Sequence, residues 1–127
     1  MKHLLIILSI LLLSSPVIGQ ETGVLYQYKT SSGIKWKTFG NEKVQPKYKG
    51  EITNGKPNGF GFQTYKNGNK YLGEHKNGLP NGQGKSIYPD GSMYLGEYKD
   101  GKPWNVKGYD KEGNIIEKWV NGKMIKQ

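Results

Sequence analysis

The 127-residue chain has no cysteine, no arginine and, after its first three residues, a single histidine, His75. Without cysteine there is no disulfide framework, no thiolate nucleophile, no CxxC redox pair and no thiolate zinc site. All 19 basic residues are lysine, so the planar bidentate contacts by which guanidinium groups read bases or clamp buried phosphates are excluded. Apolar residues are scarce at 34%, whereas 19 residues are glycine, about twice the usual ~7% share. A chain of this kind is disordered or folds through a glycine-dependent repeat, and the spacing of its glycines decides between the two.

Residues 1–19 read as a targeting segment. Lys2 and His3 precede an apolar run from Leu4 to Leu13, followed by Ser14-Ser15-Pro16-Val17-Ile18-Gly19. These are the charged start, apolar core and small-residue cleavage site of a secretory signal peptide, with the cut expected between Gly19 and Gln20. The apolar core is half the ~20 residues a spanning helix needs. Export to the periplasm, the cell surface or the medium is therefore expected. Loss of Lys2 would take the formal charge from +9 to +8.

A shift of 23 residues superposes the chain on itself. Tyr48-Lys49-Gly50-Glu51 matches Tyr71-Leu72-Gly73-Glu74 and Tyr94-Leu95-Gly96-Glu97. Gly55, Gly78 and Gly101 coincide, as do Gly59 with Gly82 and Gly61 with Gly84. Each unit reads Tyr-x-Gly-Glu, an Asn/Asp-Gly pair, a proline, and, in the first two, Asn-Gly-x-Gly. The third unit departs, with Asn105 and Lys107 where its predecessors carry glycine.

This pattern resembles the MORN (membrane occupation and recognition nexus) repeat, in the form found in small exported bacterial proteins. The resemblance implies units near 48–70, 71–93 and 94–114 and a degenerate half-unit over 115–127. Together these would form an array over 47–127, preceded by a capping hairpin and connector over 20–46.

The fold follows from the residues as well. Asn-Gly at 54–55, 58–59, 67–68, 77–78, 81–82 and 121–122, with Asp-Gly at 90–91 and 100–101, are strong hairpin signals because both residues tolerate positive φ. Alternation along the intervening strands places Tyr48, Gly50 and Ile52 on one face, likewise Tyr71, Gly73 and His75, and Tyr94, Gly96 and Tyr98. The returning strands add Gly59, Gly61 and Tyr65, then Gly82, Gly84 and Tyr88. A tyrosine ring can lie flat over a neighbouring backbone that has no Cβ, offsetting the poor strand propensity of glycine. The expected fold is all-β: an elongated, twisted antiparallel sheet of stacked hairpins. Val24–Lys29 and Ile34–Phe39 should cap one end, and Trp104, Ile115, Ile116, Trp119 and Val120 the other.

Nothing in the chain suggests catalysis, a cofactor or a metal. Glu51, Glu74 and Glu97 recur at one repeat position, as strand residues that pair with lysines do. Three equivalent carboxylates about 10 Å apart make no acid-base pair. His75, at the place of Ile52 and Tyr98, reads as a packed ring. Gly59-x-Gly61 and Gly82-x-Gly84 open strands rather than helices and so offer no phosphate cradle. The function expected is a binding or scaffold module for a protein partner, with Tyr65, Tyr88, Tyr98 and Trp104 as candidate anchors. The alternative is attachment to an anionic lipid or acidic polymer surface, although the lysines form no polybasic cluster. Nucleic acid is not expected as a partner of an exported chain whose aromatics belong to the repeat.

Overall fold

The computed structural model describes residues 20–126, and the expected signal peptide lies outside the described residues. Ten strands follow in chain order: β1 (Gln20–Thr30), β2 (Gly33–Lys37), β3 (Lys47–Thr53), β4 (Lys56–Thr64), β5 (Lys70–Lys76), β6 (Leu79–Ile87), β7 (Met93–Lys99), β8 (Lys102–Tyr109), β9 (Ile115–Val120) and β10 (Lys123–Lys126). They form one antiparallel sheet in the order β10-β9-β8-β7-β6-β5-β4-β3-β1-β2. From β3 onward every strand pairs with the one that follows it in sequence, the hairpin array that the repeat predicts.

The N-terminal hairpin departs from that order. It docks through its first strand, with Leu25 opposite Tyr48, so β2 is the outermost strand. Phe39, expected in this hairpin, falls beyond β2 and is 64% exposed. At the other end Trp119, opposite Val106, packs against the end of the core cluster that Val106 shares with Tyr98 and Tyr71. Ile115 and Val120, expected to help cap this end, are exposed.

From β3 onward the strands are joined by two kinds of turn, one along each side of the sheet. Asn54-Gly55, Asn77-Gly78, Asp100-Gly101 and Asn121-Gly122 are tight turns with φ between 48° and 86° at both residues, the mirror-image geometry that matches strand twist. Longer loops at Tyr65–Asn69, Tyr88–Ser92 and Asp110–Asn114 close on themselves. In each the first residue's N–H donates to the last residue's carbonyl, at 2.9–3.1 Å.

Asn58-Gly59 and Asn81-Gly82 are not turns, contrary to expectation. They lie inside β4 and β6, where the pairing register shifts opposite Glu51 and Glu74. The bulge frees the asparagine to reach the next hairpin. Asn58 Oδ1 accepts the Asn77 N–H (3.2 Å) while the Pro57 carbonyl accepts that of Gly78 (2.8 Å). Asn81 and Pro80 hold Asp100 and Gly101 in the same way, at 3.0 and 2.8 Å.

The same clasp corrects the alignment of the third unit. Asn105 Oδ1 takes the Asn121 N–H (3.0 Å) and the Trp104 carbonyl takes that of Gly122 (2.9 Å). Asn105 therefore corresponds to Asn58 and Asn81, not to the glycines that follow them. This unit has one more residue before its asparagine and two fewer after it, so Val106 pairs with Gly96.

Candidate functional site

The two faces of the sheet differ in chemistry. On the inner face a row of glycines crosses six consecutive strands, Gly23, Gly50, Gly61, Gly73, Gly84 and Gly96 pairing in turn, and ends on Val106 and Trp119. Tyrosine rings from a neighbouring row lean diagonally across it. A Cβ on Gly61 would overlap the Tyr48 ring, and one on Gly84 the Tyr71 ring. The hydroxyls reach past the glycines, Tyr48 donating to the Glu51 carbonyl (2.7 Å) and Tyr71 to that of Glu74 (2.9 Å). In the third unit Val106 occupies the seat, and the Tyr94 ring lies over Gly108 instead.

These rings are core. Tyr48, Tyr71 and Tyr98 are 0%, 3% and 5% exposed. Tyr98 is therefore not the interaction anchor expected of it. Its hydroxyl is hydrogen-bonded to that of Ser86 (2.8 Å) and to the Tyr94 carbonyl (3.0 Å). Burial pushes the Tyr48 phenol up to about 12 and raises that of Tyr71, so both stay neutral donors.

His75 joins the core on either side of it. Its ring stands edge-on to Tyr48 at 4.8 Å and to Tyr71 at 5.1 Å, and Tyr71 meets Tyr98 at 5.1 Å. Burial holds the imidazole down to about 4, outweighing its hydrogen bonds to backbone carbonyls, of which that to Gly73 spans 3.1 Å.

Tyr65 and Tyr88 are half-buried and line an open trough with Tyr71, Ser86, Tyr98 and Lys70. Trp104 sits at the turn side of the array under the Lys99 ammonium, 4.4 Å from its ring centre. The glycines of the tight turns, Gly55, Gly78 and Gly101, lie along the same side. Gly59 and Gly82 sit at the bulges, against the side chains of Glu51 and Glu74.

Glu51 and Glu74 serve the backbone and Glu97 a side-chain amide, roles that strand alternation did not indicate. Glu51 Oε1 accepts the Phe60 N–H (2.6 Å), Glu74 Oε2 that of Gln83 (2.5 Å), and Glu97 Oε1 the Asn105 amide (3.2 Å). The carboxylates of Glu51 and Glu74 fill the widened part of their own hairpins, where the bulge leaves an N–H without a ladder partner, whereas that of Glu97 meets the Asn105 side chain. Among the described residues no group of three or more His, Asp or Glu side chains could hold a metal ion.

The outer face carries what the sequence reading did not single out. Phe60, Phe62, Leu72 and Leu95 are exposed at 56%, 36%, 36% and 41%. The ladder sets three of them in one row, Lys49–Phe62–Leu72–Lys85–Leu95–Lys107–Lys118, with each residue opposite the next. Phe60, Leu72, Lys85 and Leu95 line a shallow groove floored by Gly73, Gly84 and Gly96. The available signal was the variable residue of Tyr-x-Gly-Glu, which is lysine, then leucine, then leucine.

A search of the curated proteins found no match to the chain. The family model of the MORN repeat matches residues 48–70 and 71–93, consecutive units that run from β3 through β6. MORN repeats are non-catalytic and are associated with protein- and membrane-binding modules. Two adjacent matches, set in a continuous sheet of hairpins, show that the chain carries MORN repeats over residues 48–93.

Proposed function

We propose that this protein is an exported, non-catalytic binding module that acts at the cell envelope through a protein partner. The observation that carries this reading is the apolar cluster of Phe60, Phe62, Leu72 and Leu95, left exposed on one face of a single-layer sheet. Contiguous exposed apolar surface of this kind marks interaction sites. Export is supported by the segment Met1–Gly19, with its charged start, apolar core and small residues before the proposed cut. The fold domain then divides into a capping hairpin with connector over 20–46 and the array over 47–127.

Two measurements test the proposal. Mass spectrometry of the protein recovered from its producing cells should give an N-terminus at Gln20; an intact Met1 would refute processing. Crosslinking in the native envelope should join the protein to a specific polypeptide, and crosslinks to none would refute the protein-partner reading.

The lysines of the outer row favour a second reading, peripheral attachment to anionic lipid or acidic polymer. It requires co-sedimentation with anionic vesicles at low salt and release as salt screens the charges.

A further inference from the structure

We infer that the outer row over β3–β9 is a docking track for an acidic protein segment bearing apolar side chains. The inference rests on the binding-module proposal and adds the face used and the chemistry of the partner.

The row alternates charge and apolar surface in a fixed order: Lys49, then Phe62 and Leu72, then Lys85, Leu95, Lys107 and Lys118. No acidic residue interrupts it. At ~4.8 Å per strand its seven positions span about 29 Å. Phe62 and Leu72 sit on adjacent strands, about 5 Å apart, and Leu95 lies two strands further, about 10 Å on. These intervals match the i/i+4 and i/i+7 spacings of an amphipathic helix, about 5–6 and 10–11 Å. Acidic groups flanking the partner's apolar stripe would then meet Lys85 and Lys107.

The carboxylates beside the row are already engaged. Glu74 and Glu97 accept hydrogen bonds from the Gln83 N–H and the Asn105 side-chain amide within their own hairpins and stay charged in the neighbouring row, so the partner's acidic groups would have to register on Lys85 and Lys107 themselves. The two other occupants fit less well. A second copy would bring lysine row against lysine row in a chain of formal charge +9. A bilayer would have to accommodate the exposed Glu74 and Glu97 beside the apolar side chains, and carboxylates are costly there.

The test uses the purified protein and a labelled 20-residue helical peptide with leucines on one face and flanking glutamates, followed by fluorescence anisotropy. Two control peptides replace Glu by Lys or Leu by Ser. The expected result is binding of the acidic apolar peptide alone, weakened at least tenfold by Lys85→Glu with Lys107→Glu and, separately, by Leu72→Ser with Leu95→Ser. Thermal unfolding of the variants confirms that the sheet is intact.

Equal binding of the lysine peptide, no binding at all, or undiminished binding by both variant pairs overturns the inference. So does outer-face-dependent binding to phosphatidylglycerol vesicles in place of the peptide. If a polypeptide crosslinks in the envelope but its capture depends on Tyr65 and Tyr88 rather than the outer row, the binding-module proposal stands and the track falls. If no polypeptide is captured by either face, both fall.

Discussion

The Tyr71 ring rests on the bare backbone of Gly84, one strand away, and its hydroxyl donates to the Glu74 carbonyl at 2.9 Å. The glycine is thus a seat for a ring from the neighbouring strand. Gly84→Val should expel the ring from a buried site and destabilise the protein by about 3 kcal/mol, the upper part of the range for overpacked cores. Chemical denaturation checks this, and an unchanged midpoint would show that the ring does not need the seat.

The asparagine clasp can be tested separately from the core. Asn81→Ala removes the acceptor for the Asp100 N–H, and the loss should be about 1 kcal/mol, an ordinary net hydrogen bond. Asn81→Asp keeps the acceptor and should recover most of it. Equal losses in the two variants would show that the side-chain oxygen is not what matters.

Glu74 is predicted to act through its acceptor oxygen at the bulge. Glu74→Ala leaves the Gln83 N–H without this partner and should cost about 1 kcal/mol, while Glu74→Gln should cost less. If the carboxylate instead served cross-strand lysine pairing, raising the salt concentration would weaken the wild type toward the alanine variant.

Stability should fall with acid because of His75. Its folded-state pKa is held at about 4 against an ordinary value of 6.5, so the unfolded chain takes up the proton first. The contribution is complete above pH 6.5 and is lost as pH drops from there to about 4. The total is about 3 kcal/mol at 1.36 kcal/mol per unit. His75→Ile, which places the residue of the preceding unit at this position, should flatten the profile over that window. Urea midpoints at pH 7 and pH 4.5 for both proteins would reveal it. An equally steep fall in the variant would assign the acid sensitivity elsewhere.

The hairpins, the strand alternation and the glycine-and-tyrosine face were all legible from a 23-residue period. What the period could not supply was register. A fixed shift sets Asn105 on Gly59, yet hydrogen bonding sets it on Asn58, because compensating length changes on either side of an asparagine are invisible to a constant offset. The backbone contacts of Glu51 and Glu74 were hidden for a related reason. Alternation predicts the side of a strand, while a bulge decides which backbone N–H groups stand open beside it. The outer face was overlooked because tyrosine drew attention as an interface residue, and here Tyr48, Tyr71 and Tyr98 belong to the core. The seat under Tyr71 was equally hard to assign to the right strand. Gly73 on its own strand is crowded instead by the Gln83 carbonyl and the Gly84 backbone.

The asparagine clasps run in one direction. Asn58 holds the turn at Asn77, Asn81 the turn at Asp100, and Asn105 the turn at Asn121. Each hairpin therefore finds its latch already in place on the one made before it, like overlapping roof tiles laid from the eave. A chain emerging amino-terminus first can lock unit after unit as it appears, and adding a tile at the carboxyl end leaves the earlier latches undisturbed. The latches thus give the molecule a head and a tail that the symmetry of its repeats conceals.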